Sequence, residues 1–294
     1  MDPERLIPLV AMPVMLLLVE IGAVFLALPL QGAGISAFEN PESIANPFIF
    51  ILILLAFTLL LLVLIRYRHR NLISLIILVS IFFTYVYIFA ALSFVFLGDS
   101  LVGVVLPFVL SGLATYAIYR FPEWYVIDTL GLLIAAGVAS IFGISLDIIP
   151  VIILLSILAV YDAISVYKTK HMITLAEGVV ELKTPILFII PKRRDYSYIK
   201  EGIGNISEGE RGAFIIGMGD LIMPSVLVVS ANVFVQGTKI GIFTIPAIGA
   251  IIGSIVGLLF LIRLVGQGKP QAGLPPLNGG AIIGFSIAYL ITMI

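Results

Sequence analysis

Cysteine is absent from this chain of 294 residues, and histidine occurs only twice, at His69 and His171. The first absence excludes disulfides, thiolate nucleophiles and cysteine-ligated metals. Both histidines stand in basic stretches outside the apolar runs, where a solvated loop residue is the expected reading, and a histidine-based metal site finds no partners. No metal or other cofactor is therefore expected. Charge is scarce too: Asp, Glu, Lys and Arg make up 11% of the chain, against roughly 25% in a soluble domain. A net charge of −1 gives no sign of a nucleic-acid partner.

What fills the chain is apolar, with 61% of residues hydrophobic. A hydrocarbon core about 30 Å thick needs about 20 apolar residues in helix, and such runs recur from end to end. The expected fold class is an all-α integral membrane protein whose partner is the lipid bilayer. Nine transmembrane helices are expected, over residues 6–30, 47–65, 72–97, 100–119, 124–142, 147–167, 212–235, 240–262 and 276–294. The first carries Glu20 and prolines and lacks a small-residue cleavage site, so it reads as a retained helix rather than a removed signal peptide.

Loops rich in Lys and Arg stay cytoplasmic. With nine spans, the N-terminus and the even-numbered loops share one side, and they hold fifteen of the sixteen basic residues, leaving only Lys239 on the other. The N-terminus is accordingly expected in the cytoplasm and the C-terminus outside. Three regions follow: an N-terminal six-helix part (1–167), a cytoplasmic loop (168–211) and a C-terminal three-helix part (212–294). Loops as long as the central one are usually functional or disordered. Its apolar core, Ile186 to Ile190, is too short to cross a bilayer and is expected to lie on the membrane surface or to pair as a strand, with an incidental sticky patch on a linker as the alternative. In the last two spans Gly249, Gly253 and Gly257, and then Gly280 and Gly284, recur every four residues, a spacing that lets helix backbones approach closely in lipid.

Charged groups inside a bilayer cost a few kcal/mol or more and usually mark function. The candidates are Glu20, Asp128, Asp162 and Asp220. At about 1.5 Å of rise per residue, Asp162 lies about 9 Å from the boundary at Lys168, and Asp220 about 14 Å from the same boundary at Arg211. The sixth and seventh spans run antiparallel, so these two acids fall within about one helical turn of the same depth and are placed to face each other. Glu20, about 22 Å in from Arg5, is nearer the outer surface and a poor partner. Asp128 sits beside Trp124 and Tyr125, residue types of the membrane interface; it is expected to reach headgroup water, with a structural hydrogen bond in the bundle as the alternative.

Two carboxylates in one low-dielectric site cannot both ionise cheaply, and such a pair holds a single proton. That equips it for aspartyl proteolysis, in which the ionised acid takes a proton from an attacking water and the protonated one donates to the peptide carbonyl. It equally equips a proton-coupled transporter or channel, and spacing and depth leave the two open. Other routes to cutting a peptide bond inside a membrane lack their residues here: there is no HExxH for zinc, and no span contains a histidine or lysine to activate a serine.

Three local sequences then bear on the choice: Tyr161-Asp162, Gly217-Met218-Gly219-Asp220 and Leu274-Pro275-Pro276-Leu277. Together they resemble the presenilin and signal peptide peptidase family of intramembrane aspartyl proteases, which has nine spans, a Tyr-Asp on the sixth, a Gly-x-Gly-Asp on the seventh and a Pro-Ala-Leu motif opening the ninth. The resemblance covers the whole architecture and is specific mainly over spans six, seven and nine. It implies a catalytic dyad of Asp162 and Asp220, with Tyr161, Gly217 and Gly219 shaping the site and Pro275, Pro276 and Leu277 forming a loop beside it. It also implies transmembrane helices of other proteins as substrates. Such a helix must unwind before cleavage, and the length and apolar content of the central loop lead us to expect that its freed backbone groups pair as a strand near residues 182–190 or the Pro275 loop. The third motif departs from the family pattern, with Pro276 for its alanine and Asn278 where presenilins have a second proline. The expected orientation is the presenilin one. Presenilins work within a multi-subunit complex, whereas nothing in this chain marks an obligate partner surface, and self-association stays open.

Overall fold

The computed structural model describes residues 3–67, 70–169, 187–193, 195–202, 212–265 and 271–293. His69, His171 and residues 182–186 lie outside these. The long apolar runs form helices α1 (Pro3–Gly32), α2 (Ala45–Arg66), α3 (Arg70–Leu97), α4 (Leu101–Arg120), α5 (Trp124–Ser145), α6 (Ile148–Ile164), α7 (Met218–Phe234), α8 (Ile245–Val265) and α9 (Leu274–Thr292). A π-helical turn, Ser165–Thr169, prolongs α6. Among the described residues, eight helices are long and apolar enough to cross a membrane, and α7, at 17 residues, is shorter.

Local chemistry sets several of the helix starts. Ser100 accepts the N–H of Gly103 at 3.1 Å at the head of α4, and Asp147 accepts that of Ile148 at 2.6 Å at the head of α6. Each satisfies an N–H that the first helical turn leaves unpaired. Pro275 and Pro276 open α9, where a missing N–H costs nothing.

Helix α7 is central, packing against α1, α5, α6, α8 and α9. It is apolar all round and buried over most of its length, the pattern of a helix enclosed by others. Helix α2 is the opposite case: only Asn46, Pro47 and Leu64 are buried, and Leu52, Ile53 and Leu59 are turned outward, as suits a lipid-facing helix. Because lipid tails are as apolar as leucine, helix association in a bilayer rests on close packing. The glycine repeats serve this end. A Cβ on Gly253 would collide with the carbonyl of Gly280, one on Gly249 with that of Gly284, and one on Gly257 with that of Pro276. Helices α8 and α9 are therefore in backbone contact along their length.

Two short antiparallel sheets interrupt the helices. In the first, β1 (Leu187–Pro191) pairs with β2 (Ala213–Gly217), Leu187 opposite Gly217 and Pro191 opposite Ala213. The apolar core of the central loop is thus a strand, with Phe188, Ile189 and Ile190 buried. Residues 213–217, expected as the first turns of the seventh helix, are its partner; the β-branched and aromatic sequence AFIIG fits a pleated, half-buried surface. The second sheet, β3 (Lys239–Ile240) with β4 (Phe243–Thr244), replaces the expected start of the eighth helix. Its turn carries Gly241 at φ 65, a conformation that glycine adopts without strain.

Candidate active site

Asp162 lies in the last turn of α6 and is 3% exposed. Asp220 lies in the first turn of α7, near the positive end of the helix dipole, where a carboxylate is favoured. The start of α9 meets both. The backbone N–H of Leu274 donates to Oδ2 of Asp162 at 3.0 Å. At the preceding residue, a Cβ built on Gly273 would lie 2.9 Å from Oδ2 of Asp220 and 3.0 Å from its Cγ, closer than a side chain tolerates. Adjacent residues of one loop therefore touch the two carboxylates.

Each element reaches this point for a local reason. Strand β2 ends at Gly217, which caps α7 in an extended conformation, so the sheet fixes where α7 begins and where its third residue, Asp220, points. Gly217 also faces that carboxylate, with a built Cβ 3.3 Å from Oδ2, whereas Gly219 is exposed with open space in front of it. The two glycines of the motif thus differ: one lets the carboxylate pack close, the other leaves its approach clear. Tyr161 is 42% exposed, and while its carbonyl accepts the N–H of Ser165, its side chain makes no hydrogen bond among the described residues. On α9, Pro275 and Pro276 are half-buried and Leu277 is fully buried.

Several contacts had no sequence signal. Tyr167, in the π turn, donates to Oε1 of Gln271 at 2.8 Å and so holds the loop before α9. Asn278, the departure in the third motif, is fully buried and donates from Nδ2 to the carbonyl of Leu155 on α6 at 3.1 Å. A helix side-chain bond replaces a proline there. A groove of about 270 Å³ opens between α6 and α9, lined by residues that include Ala159, Ala163, Pro275, Asn278 and Ile282. A larger groove of about 380 Å³ lies between α3 and α4, remote from both carboxylates.

The other two membrane acids stand apart. Glu20 is fully buried and its Oε1 accepts the Ser254 hydroxyl at 2.6 Å, joining α1 to α8. Asp128, expected to reach headgroup water, does not: it is 8% exposed, and its Oδ1 accepts the N–H of Ile189 in β1 at 2.9 Å. An unpaired strand N–H inside the fold needs an acceptor, and this aspartate supplies it. Asp128 is thus the structural hydrogen bond of the two readings.

A family described as signal-peptide peptidase, presenilin aspartyl protease matches residues 13–294. The chain belongs to that family. It is similar over 97% of its length to two solved structures, each described as a presenilin family intramembrane aspartate protease. One, in a C222 crystal form, is 47% identical with a TM-score of 0.73 over 99% of its own chain. The other, in a P2 form, is 48% identical with a TM-score of 0.72 over 98%. No curated protein matches the chain. Membership of the presenilin and signal-peptide peptidase family makes this an aspartic endopeptidase and a multi-pass membrane protein, and it gives proton-coupled transport no support.

Proposed function

We propose that Asp162 and Asp220 are the catalytic pair and that the substrate is a transmembrane segment cut within the bilayer. The observation that carries this is the Gly273-Leu274 step, which holds one carboxylate by a hydrogen bond and leaves no room for a side chain beside the other. One carboxylate takes a proton from a water molecule as the water oxygen bonds to the scissile carbonyl carbon, and the protonated partner donates to the carbonyl oxygen. Collapse of the resulting diol breaks the C–N bond, with a proton delivered to the leaving amine. Tyr161, Gly217 and Gly219 border the reacting groups, and Pro275, Pro276 and Leu277 set the loop that closes on them.

Nine crossings fit this reading. Helix α7 rises about 25 Å, short of the roughly 30 Å hydrocarbon core, and β2 before it adds about 16 Å of extended chain. Residues 1–167 and 212–294 then form the two membrane parts, and 168–211 and the N-terminus face the cytoplasm, with the C-terminus outside. The substrate slides in through the groove between α6 and α9 with its N-terminus outside and is cut in the cytoplasmic half. No obligate subunit is invoked, and self-association is not needed for the chemistry.

A cleavable segment must unwind, and its freed backbone groups need partners. Strand addition supplies them, and the hydrogen-bond phase of the sheet favours β2 over the residue 182–190 stretch. Lys192 donates to Gly212 at 3.0 Å, and with Pro191 opposite Ala213 the antiparallel alternation turns the N–H of Ile189 away from β2. That N–H is taken by Asp128, and Pro191 has none. The outer edge of β2, at Ala213 and Ile215, has no second strand among the described residues and leads directly to Asp220. Incubation of the purified protein in proteoliposomes with a labelled transmembrane peptide, products read by mass spectrometry, tests the proposal. A cut inside the apolar segment, in its cytoplasmic half, is expected; a cut only in the flanking polar residues contradicts it.

A further inference from the structure

Helix α5 and its N-cap present two carboxylates to β1 and to the segment that follows it. Besides the Asp128 bond to Ile189, Glu123 at the head of α5 accepts the Ser197 hydroxyl at 2.6 Å through Oε1 and the N–H of Tyr198 at 3.0 Å through Oε2. One turn beyond Asp128, Gly131 gives room to the Phe188 ring of β1, 3.3 Å from a built Cβ, and to Met218, the first residue of α7. Strand β1 is thus held from α5 on its outer edge and by β2 on its inner one, and β2 runs without a break into α7 and Asp220.

We infer that Asp128, seconded by Glu123, is a positioning residue for the reaction: it clamps β1 to α5 and thereby fixes β2, the depth of Asp220 and the register in which a substrate strand is offered to it. A buried carboxylate beside a membrane interface is costly without such a partner, and the partner chosen is a backbone N–H, which a strand cannot otherwise satisfy on that side. The same bond makes β1 useless as an edge for the substrate, leaving β2 as the strand that receives it. This inference rests on the strand-addition reading of the substrate. The clamp itself does not, because it is a property of the resting protein.

Two measurements on the full-length protein in detergent or proteoliposomes separate these layers. Hydrogen–deuterium exchange of residues 187–190 and 213–220 is expected to be roughly tenfold faster in Asp128→Ala than in the wild type, since a strand edge that loses its anchor opens locally, and unchanged in Asp128→Asn, whose Oδ1 still accepts. Cleavage of the labelled transmembrane peptide is expected to lose about tenfold in kcat with KM little changed, and its single main product to spread over neighbouring bonds, with Asp128→Asn restoring both. Glu123→Ala, at a half-buried site, carries the same comparison with a smaller loss should Asp128→Ala not fold. Unchanged exchange in a folded Asp128→Ala or Glu123→Ala overturns the clamp. Faster exchange with wild-type kcat and one unshifted product overturns the positioning role. Failure of the wild type to cut any peptide counts against the protease assignment, while the exchange comparison still decides the clamp.

Discussion

Leu274 donates its backbone N–H to Asp162 across 112 positions of sequence, at 3.0 Å, and through it the start of α9 is fastened to the end of α6. Asp220 packs against the residue just before, Gly273. The site is therefore built from three helix ends and a backbone amide, and small displacements of α9 reach both carboxylates at once.

Gly273→Ala is the most economical disturbance of that arrangement. The new methyl would stand 2.9 Å from Oδ2 of Asp220, so either the carboxylate or the loop must move. A misplacement of about 1 Å is enough to cost on the order of 10²-fold in rate. We expect a loss of that order in kcat with a thermal unfolding midpoint close to wild type, measured on the purified protein.

Asn278→Leu keeps the branched heavy-atom skeleton and removes the donor to Leu155. Interhelical hydrogen bonds in membranes contribute about 0.6 kcal/mol on average and up to about 1.7 kcal/mol. A modest fall in thermal stability is expected together with a several-fold fall in kcat, because the bond ties α9 to α6 about two turns before Asp162. Thermal denaturation and peptide cleavage measured side by side check the two parts.

Much of the site could be read from the sequence, and the missing part has a physical cause. Asp162 and Asp220 were legible because depth in a helix is simple arithmetic and because buried charge is rare enough in a membrane to be noticed. The glycine contact between α8 and α9 was legible for a similar reason, since a four-residue repeat of glycine maps to one helix face. The β1–β2 sheet was not: LFIIP and AFIIG are as apolar as the helices around them, and five residues carry too short a pattern to separate strand from helix. Nor were Asp128's true partner and the Asp162 contact foreseeable, because each is a backbone N–H, which every residue but proline has. The short Met218–Phe234 helix was overestimated in length for the same reason, its preceding strand being read as its first turns.

Gly253→Val and Gly112→Ala form a contrasting pair for the packing account. The first drives a side chain into the carbonyl of Gly280, while a Cβ at Gly112 meets nothing within 4 Å. Gly253→Val is expected to yield little folded protein by size-exclusion chromatography. Gly112→Ala is expected to stay within about 1 kcal/mol of wild type, the range of the helix propensity difference.

The proteolytic rate should also depend on pH in a particular shape. The mechanism requires one carboxylate ionised to accept a proton and one protonated to donate. At low pH both are protonated and no base remains; at high pH both are ionised and no acid remains. The profile of kcat/KM for the labelled peptide is therefore expected to be bell-shaped and to report the pair rather than either residue. A rate that rises to a plateau with a single limb contradicts a shared proton.

The claim that Asp162 and Asp220 act as one catalytic unit is tested most directly by single-turnover cleavage of the labelled transmembrane peptide by Asp162→Ala, Asp220→Ala and the double variant. Residues that work as a unit are grossly non-additive. The prediction is that each single substitution abolishes cleavage within the apolar segment in a protein that still folds, and that the double variant is no slower than either. Cleavage at the wild-type bond that survives in either folded single variant would contradict the account.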